Sequence, residues 1–353
     1  MEELPKVARY KPYYHELEKG KRYRWCSCGL SKKQPFCDGS HKGTNFLPVV
    51  YEAVEEGEEV LFCGCKHSAD QPFCDGAHND LQDVYEEDDP NSEANLLIPV
   101  VAADAQGRAV LDGGCCVIQV SRIAKREEGV MKLGELISRA SGAQHQSQFY
   151  AEVAKGQSPI LSFGDSDVII FVAQGNGELS ISGRPFAVNP EQGVYIRPQE
   201  AFSLHNPHDE PMHLYISVCP LDVAPKYLAE MPGNFNDDFP ERTIGIDPDK
   251  RQTMSNRFFQ MLVDKTMGSK VVTQFIGDIP KSKAAMHRHL YEESIVVLKG
   301  EGYMWTENLK TKVTPGDVIF LPRKQIHSLE CTSADGMMLV GVIYPGDNPS
   351  INY

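Results

Sequence analysis

The stretch MHRHLYEESIVVLKGEG (Met286–Gly302) places two histidines and a glutamate ahead of a short apolar run that ends in glycines. His287, His289 and Glu293 all have odd numbers, so on an extended strand their side chains point to one face. The segment PGDVIFLPRKQIHSL then supplies His327 after a turn. Three imidazoles and one carboxylate suit a divalent transition metal, so we predict a mononuclear metal site at these four residues.

Similar apolar runs alternate with Gly, Pro and Asn turns through the C-terminal two thirds of the chain. Examples are DVIIFVAQGNG (167–177), GVYIRP (193–198), LYISVCP (214–220) and LVGVIYP (339–345). Short strands at regular spacing predict a mainly β architecture, a sandwich or a barrel. Only GVMKLGELISRA (129–140) and SNRFFQMLVDK (255–265) have the apolar spacing of candidate helices.

The apolar runs also repeat at an offset of 125 residues, which maps Gly175 onto Gly300 and Pro220 onto Pro345. A shared offset over such a span indicates two copies of one β-domain. The first copy lacks the metal ligands. At this offset their counterparts are Ser162, Gly164 and Val168, with either Phe202 or Ser203 opposite His327. We therefore predict a metal-free first copy and a metal-binding second copy.

These motifs resemble those of the cupin superfamily, H-x-H-x3–4-E-x6-G followed by G-x5-P-x4-H. The second copy matches both, with Gly300, Gly316 and Pro322 at the remaining positions. The resemblance covers about residues 100–353 and implies two jelly-roll barrels, a degenerate one at 98–225 and a metal-binding one at 250–353. It also implies that His287, His289, Glu293 and His327 bind the metal, which in this superfamily is Fe, Mn, Ni, Zn or Cu.

The N-terminal part of the chain contains a second repeat, WCSCGLSKKQPFCDGSH (Trp25–His41) and FCGCKHSADQPFCDGAH (Phe62–His78). Each copy reads C-x-C, eight residues, C, three residues, H. The ligand candidates are Cys26, Cys28, Cys37 and His41, then Cys63, Cys65, Cys74 and His78. Thiolates with one imidazole suit zinc or an iron–sulfur cluster, but the tight C-x-C and single histidine differ from common zinc-finger spacing.

The N-terminal repeat resembles the CDGSH (NEET) iron–sulfur family, whose signature stands as CDGSH at Cys37–His41 and as CDGAH at Cys74–His78. The resemblance covers about residues 20–80. It implies one 2Fe–2S cluster per motif, held by three Cys and one His, in a tandem domain over residues 1–90. Cys115, Cys116, Cys219 and Cys331 lie outside the motifs, and we predict that they are small core residues.

Composition excludes several classes of function. The 353-residue chain has a formal net charge of -14, which disfavours nucleic acid as a partner. It contains no apolar run long enough to span a membrane, and the first twenty residues lack the apolar core of a secretory signal. Cysteines spaced as metal ligands favour a reducing compartment, so we predict a cytoplasmic protein. Residues 1–48 are basic, with ten Lys/Arg against five Asp/Glu, and the acidic stretch EEDDPNSEANLL (86–97) follows the repeat.

The combination of clusters and a metal cupin predicts an oxidoreductase, a non-haem iron dioxygenase or monooxygenase acting on a small organic substrate with O₂. Two one-electron clusters could supply the two electrons that a monooxygenation needs. The alternatives are a redox- or iron-sensing binding protein, and a non-redox isomerase or decarboxylase with a structural CDGSH module. The predicted partners besides the substrate and O₂ are a redox partner protein and a second copy of the chain in a homodimer. Candidate substrate-lining residues are Arg288, Tyr291, Tyr303 and Trp305.

Overall fold

The structure is a computed structural model that describes residues 4–81, 87–220, 224–254 and 256–353. The N-terminal module contains four strands: β1 (Tyr13–Leu17), β2 (Arg22–Trp25), β3 (Val49–Glu52) and β4 (Glu58–Phe62). β1 pairs with β4 and β2 pairs with β3, so each two-stranded sheet takes one strand from each copy of the repeat. Trp25 and Phe62 lie buried at equivalent positions in the shared core. The two copies therefore complete one another within a single chain.

The remaining strands form two β-barrels. In chain order they are β5 (Arg108–Val110), β6 (Cys116–Gln119), β7 (Arg126–Glu128), β8 (Met131–Ile137), β9 (Ser147–Val153), β10 (Gly156–Gln157), β11 (Ile160–Ser162), β12 (Asp167–Gln174), β13 (Gly177–Ile181), β14 (Arg184–Val188), β15 (Gln192–Ile196), β16 (Ala201–Asn206), β17 (Met212–Cys219), β18 (Lys226–Leu228), β19 (Thr243–Ile244), β20 (Gln252–Met254), β21 (Arg257–Val263), β22 (Thr273–Ile279), β23 (Ser282–Lys283), β24 (Glu292–Lys299), β25 (Gly302–Trp305), β26 (Lys310–Val313), β27 (Asp317–Leu321), β28 (Ser328–Cys331) and β29 (Met337–Tyr344).

Each barrel is built from two antiparallel sheets. In the first barrel, the sheet β19-β15-β12-β17-β9-β8-β7 faces the sheet β14-β13-β16-β11-β18, to which β10 also pairs through β16. In the second barrel, β20-β21-β22-β29-β24-β27-β6-β5 faces β23-β28-β25-β26. Separate apolar cores fill the two barrels. The prediction of a mainly β fold with two cupin-like barrels is confirmed.

Two segments cross the expected domain boundaries. The prediction assigns everything from residue 98 to 225 to the first barrel, whereas β5 and β6 pair with β27 of the second barrel, Gln119 opposite Asp317. Conversely, β19 extends the first barrel beyond residue 225 by pairing with β15. β6 and β19 form main-chain hydrogen bonds with β27 and β15, whose edges would otherwise be unpaired. The barrels are therefore tied together by main-chain hydrogen bonds as well as by side chains.

The described residues contain one short α-helix, α1 (Glu93–Leu96), capped by the Ser92 side chain. The 3₁₀ turns are Ala77–Leu81, Asp112–Gly114, Val120–Arg122, Arg139–Ser141, Pro248–Lys250 and Lys265–Met267. No helix in these residues is long and apolar enough to cross a membrane. Helix α1 lies in the acidic stretch 86–97, and Glu86, the first residue of that stretch, falls outside the described residues.

The two helix predictions are wrong, because residues 129–140 and 255–265 contain β8 and β21. In β8 the exposed Lys132 separates the buried Met131 and Leu133, which is the alternation of a strand. The pairing register of each strand shifts near its C-terminal end, between Glu135 and Ile137 in β8 and between Met261 and Val263 in β21. Consecutive buried residues there break strict alternation and mimic helical spacing. Pairing with β9 and β22 decides the conformation.

A large apolar interface joins the barrels. Its members are buried side chains from both, including Leu136, Tyr150, Phe171, Phe320 and Val340. Polar contacts set the register at its edge, where the Glu292 carboxylate accepts the main-chain N–H groups of Gln144 at 2.6 Å and His145 at 2.8 Å. Burying an apolar side chain such as Leu136, Phe171 or Val340 is worth about 1.5–3 kcal/mol. The two barrels therefore form one packed body.

Candidate metal centres

The first cysteine-histidine set lies where β2 meets the loop that precedes the CDGSH turn. The Cys26 and Cys28 Sγ atoms are 3.6 Å apart, and Cys37 Sγ lies 3.2 Å from His41 Nδ1. Reciprocal main-chain bonds hold the two pairs side by side: Cys26 N–H donates to the Pro35 carbonyl, and Cys37 N–H donates to the Arg24 carbonyl. The spacing thus brings all four predicted ligands to one end of the module.

The second set repeats this arrangement. The Cys63 and Cys65 Sγ atoms are 3.5 Å apart, and Cys74 Sγ lies 3.5 Å from His78 Nδ1. Within the described residues, no three ligand atoms from either set lie within 4.8 Å of one another. One tetrahedral zinc needs four mutually close ligands, whereas a 2Fe–2S cluster needs two ligands at each of two irons. The two-plus-two arrangement therefore fits a binuclear cluster better than zinc.

The two sets differ in exposure. His41 is half-buried and its neighbour Lys42 is exposed. His78 is only 3% exposed, and burial lowers its pKa. The histidine of the first set is therefore the more accessible to solvent, while the histidine of the second set is enclosed by the protein.

A buried cation lies between the two sets. Lys66 is 1% exposed, and its ammonium donates to the Cys63 carbonyl at 2.9 Å and lies 4.7 Å from the centre of the Trp25 ring. Burial lowers the Lys66 pKa to about 8. Thiolates of both sets, above all Cys26 and Cys63, act in the opposite direction and raise it. A positive charge here offsets part of the negative charge that thiolate ligands concentrate in the module.

The mononuclear set lies in the second barrel. His287 and His327 form an antiparallel bridge with main-chain bonds of 3.0 and 2.9 Å, and Glu293 is the second residue of β24. Ligand atoms of His289, Glu293 and His327 all lie within 4.8 Å of one another. His287 falls outside this limit, although its ring packs on that of His327 with centroids 4.5 Å apart. Three of the four predicted ligands are thus gathered tightly, and the fourth is adjacent.

Main-chain carbonyls orient all three imidazoles. The Nδ1 atoms of His287, His289 and His327 lie 2.9, 3.0 and 2.8 Å from the carbonyls of Ala285, Tyr291 and Gln325. An Nδ1–H donated in this way leaves each Nε2 as an unprotonated lone pair for a metal. Burial lowers the His287 pKa to about 4 and the His327 pKa well below its usual value. Both imidazoles are therefore neutral at neutral pH, the form that binds metal.

The contact between His289 and Glu293 is unfavourable without a positive charge between the two side chains. His289 Nε2 is buried, has no hydrogen-bond partner among the described residues, and lies 3.0 Å from a carboxylate oxygen of Glu293. A lone pair and a carboxylate oxygen this close repel one another unless a positive charge lies between them. A divalent metal satisfies both atoms, so the residues present fit the predicted group.

The first barrel fills the equivalent place with apolar side chains. Leu161 pairs with Phe202, which is the pairing that His287 and His327 form in the second barrel. Val168 pairs with Ile196, which is the pairing that Glu293 and Leu321 form there. The counterparts of the ligands are therefore Leu161, Phe163, Val168 and Phe202, all at most 2% exposed.

The strand register thus settles Phe202, rather than Ser203, as the counterpart of His327. It also replaces the predicted counterparts Ser162 and Gly164. The loop before Val168 is one residue longer than the loop before Glu293. The constant offset of 125 residues therefore misplaces the counterparts of the two ligands that precede this loop by one position. The rings of Phe163 and Phe202 stack with centroids 6.4 Å apart in the space that corresponds to the metal set.

The predicted substrate-lining residues separate in the structure. Tyr291 lines the cavity at the metal set, a space of about 70 Å³ with a mostly apolar wall. Arg288 and Trp305 line a different cavity of about 510 Å³. Trp305 is buried and donates to Glu330 at 2.9 Å, and Tyr303 packs against it. The four scattered cysteines are buried, as expected of core residues.

Comparisons with known proteins agree with these two kinds of site. The family described as "Iron-binding zinc finger CDGSH type" matches residues 7–42 and 48–79, and the family "Cupin domain" matches residues 277–343. The "AraC-like ligand binding domain" family matches residues 165–263. The chain is a fusion of a tandem CDGSH iron–sulfur segment with cupin domains.

The CDGSH segment has curated relatives. It is similar to the mitochondrial CDGSH iron-sulfur domain-containing protein 3 of Mus musculus, at 53% identity over 51 residues, and of Homo sapiens, at 55% over 49 residues. These matches cover 14% and 13% of this chain. The chain spans less than two fifths of the length of these relatives, 37% and 39%.

The cupin part is similar in fold to several solved structures. One is a mutant of Bacillus subtilis oxalate decarboxylase, with a TM-score of 0.52 at 12% identity, covering 65% of this chain and 77% of that one. Another is a Lactobacillus farciminis oxalate decarboxylase formate complex, with a TM-score of 0.52 at 13% identity, covering 66% and 87%. The protein Ylba from E. coli also has a TM-score of 0.52, at 12% identity, covering 73% and 99%. At these identities the likeness concerns the fold alone.

The CDGSH segment docks directly on the metal-binding cupin. Glu59 on β4 forms ion pairs with Arg323 and Lys324, and Tyr14 stacks on Tyr353 with ring centroids 5.3 Å apart. Burial opposes ionisation of Glu59, but hydrogen bonds from Lys324 and Tyr14 outweigh it and lower its pKa. Lys324 in turn donates its main-chain N–H to the His289 carbonyl at 2.9 Å. The docking contacts therefore reach the metal set.

A cavity of about 420 Å³ lies at this junction, and sequence reasoning missed it. His78 of the second CDGSH set and His287 of the cupin set both line it. So does Arg257, which also lines the smaller cavity at the metal set. Arg257 lies in a segment predicted as helix and belongs to no motif, so the sequence carries no signal that it contributes to a site.

Proposed function

We propose that this protein is an iron–sulfur-containing cupin oxygenase. In this proposal Cys26, Cys28, Cys37 and His41 hold one 2Fe–2S cluster, and Cys63, Cys65, Cys74 and His78 hold the other. His287, His289, Glu293 and His327 hold a mononuclear iron. When bound, these groups supply electrons and a site for O₂ activation on a small organic substrate. The protein's own residues hold, orient and shield them.

The observation that carries the proposal is the shared cavity. A ligand residue of one redox-type site, His78, and a ligand residue of the other, His287, open onto the same space of about 420 Å³. A module kept only for stability has no need to present its buried histidine to the cupin site. The first set, whose histidine is the more accessible, would accept electrons from outside, and the second set would pass them inward.

The side chains around the metal set have separate tasks. The carbonyls of Ala285, Tyr291 and Gln325 fix the imidazoles, which keeps their Nε2 atoms directed at the metal. Apolar walls from Phe259, Phe275 and Leu339 exclude water from the inner cavity. Exclusion of water protects reactive species from hydrolysis and proton leakage.

A non-redox function is the competing proposal. The solved neighbours that share the fold include oxalate decarboxylases, and the alternative is a decarboxylase with a CDGSH segment kept for docking. The two functions differ in their need for electrons. Substitution Cys74→Ser should stop an electron-fed oxygenase, whereas a decarboxylase that remains folded should keep its turnover.

The proposal can be tested without knowing the substrate. The clusters are reduced anaerobically, O₂ is added, and the return of visible cluster absorbance is followed in the iron-loaded wild type and in Glu293→Gln. Reoxidation at least tenfold faster in the wild type supports transfer through the mononuclear site. Equal rates in the two proteins would overturn the proposal, since O₂ would then oxidise the clusters directly.

A further inference from the structure

The junction cavity has a wall of distinct charge. It is formed by the N-terminal arm, the second CDGSH motif and the open end of the second barrel. Among the described residues, four cationic side chains line it, namely Arg9, Lys11, Arg257 and Lys283, against one carboxylate, that of Glu87. Lys283 is paired with Asp88, which leaves an excess of positive charge on the wall. A concave site of this kind favours an anionic ligand.

Arg257 occupies the key position in this wall. It is 8% exposed, and its Nη2 donates to the Leu329 carbonyl at 3.0 Å. Among the described residues no carboxylate lies within ion-pair distance of it, although the Glu87 carboxylate on the same wall acts on it from farther away. Burial outweighs that influence and lowers the Arg257 pKa to about 10. A buried guanidinium with no carboxylate in direct contact is costly, because the loss of hydration is repaid only in part. A ligand carboxylate supplies that contact and matches the fork of guanidinium donors in a bidentate pair.

The position of Arg257 also sets where the ligand points. Arg257 and His287 line both the junction cavity and the inner cavity at the metal set. The inner cavity is walled by apolar side chains such as Phe259, Phe275 and Leu339. A molecule that places an anionic group on Arg257 therefore has an apolar space beside the metal ligands for its remainder.

We propose that the junction cavity binds a small organic carboxylate, with its carboxylate group on Arg257 and its apolar body directed toward His287 and His289. The claim that this molecule is the substrate rests on the proposed oxygenase function. The claim that the cavity is a carboxylate site does not. Arg257 is in this respect a binding residue, and it lies between the second CDGSH set and the metal set.

Calorimetric titration of the full-length, cluster-containing protein tests the proposal. The probes are acetate, benzoate and phenylacetate, with acetamide and benzamide as neutral matches and inorganic phosphate as the other anion. We expect at least one carboxylate to bind while its amide does not. Phosphate binding tighter than every carboxylate would overturn the ligand class, and no binding of any carboxylate would overturn the site.

Three variants locate the binding. Arg257→Gln should weaken carboxylate binding at least tenfold, and Arg257→Lys should give an intermediate loss, because it keeps the charge without the fork. Arg184→Gln is the matched control, since Arg184 is exposed, pairs with Asp237 at 2.7 Å, and neither residue lines the two cavities. The carboxylate affinity of this variant should be unchanged. Retained cluster absorbance verifies folding of each variant.

Equal affinity in Arg257→Gln and wild type would overturn the assignment to this cavity. Binding is measured with oxidised clusters and without O₂, so its outcome does not depend on electron transfer. If reoxidation proves independent of the metal while carboxylates still bind through Arg257, the oxygenase proposal fails and the carboxylate site stands.

Discussion

The ring of Tyr291 lies flat on the imidazole of His289, with centroids 3.9 Å apart and planes inclined by 13°. The Tyr291 hydroxyl donates to the Pro349 carbonyl at 3.2 Å, and the adjacent Asn348 amide donates to the Asp75 carbonyl at 3.2 Å. Asp75 belongs to the second CDGSH motif. A continuous set of contacts thus joins a mononuclear-site histidine to the loop of the second iron–sulfur set through the C-terminal tail.

The hydroxyl of Tyr291 gives a direct test of this connection. Substitution Tyr291→Phe keeps the stacked ring but leaves the buried Pro349 carbonyl without its donor, so we expect a loss of about 1 kcal/mol in the free energy of unfolding. Denaturant unfolding measures it. The metal content should stay unchanged because the ring and the Nδ1 bond of His289 remain. A Tyr291→Phe protein as stable as the wild type would show that the tail contact contributes nothing.

Removal of one mononuclear ligand should separate the two kinds of metal site. His289→Ala deletes the imidazole whose Nε2 faces Glu293. Loss of a residue that only orients a metal ligand lowers metal affinity about 10–100-fold. Loss of the ligand itself should lower it by at least that factor. Elemental analysis should find less metal in the variant while the visible absorbance of the clusters is retained. Loss of both together would mean that the two sites depend on one another for folding.

The clusters should be lost in acid in two steps. Protonation of the histidine ligand competes with iron, so the set of the half-buried His41 should lose absorbance first as the pH falls. Burial lowers the His78 pKa, so its set should persist to lower pH. His41→Cys should abolish the first step and His78→Cys the second. A single step in the wild type would contradict this order.

Docking of the CDGSH segment on the cupin should depend on Glu59. Glu59→Gln removes the charge that meets Arg323 and Lys324, and we expect a loss of roughly 1.5–3 kcal/mol for hydrogen bonds to a charged group. Glu52→Gln is the control, because its ion pair with Arg22 is exposed and should be worth less than about 1 kcal/mol.

The effect at Glu59 should also vary with pH. Its pKa is lowered in the folded protein, so its stabilising effect is present above the unfolded pKa of about 4.3 and is lost as pH falls through the folded value. The difference in unfolding free energy between wild type and Glu59→Gln should therefore shrink in acid. A difference that stays constant across this range would indicate a purely structural effect.

The ligand sets were readable from sequence because their geometry is local. Cys37 and His41 share one turn, Cys26 and Cys28 share one strand end, and His289 and Glu293 flank the start of one strand. Residue spacing alone brings such pairs together, so the fold class and the metal-type sites could be predicted. The offset between the barrels could be read only approximately, because one extra residue before Val168 moves the counterparts of two ligands.

The sequence by itself determined two repeats, their ligands and a β-rich fold, since these depend on contacts between residues near one another in the chain. Only the tertiary structure decided that β5 and β6 join the second barrel, that His78 rather than His41 faces the cupin, and that Arg257 lies between the two sites. Those relations join residues far apart in sequence. They arise when buried apolar faces and unpaired strand edges find partners elsewhere in the chain, and no local pattern encodes which partner that is.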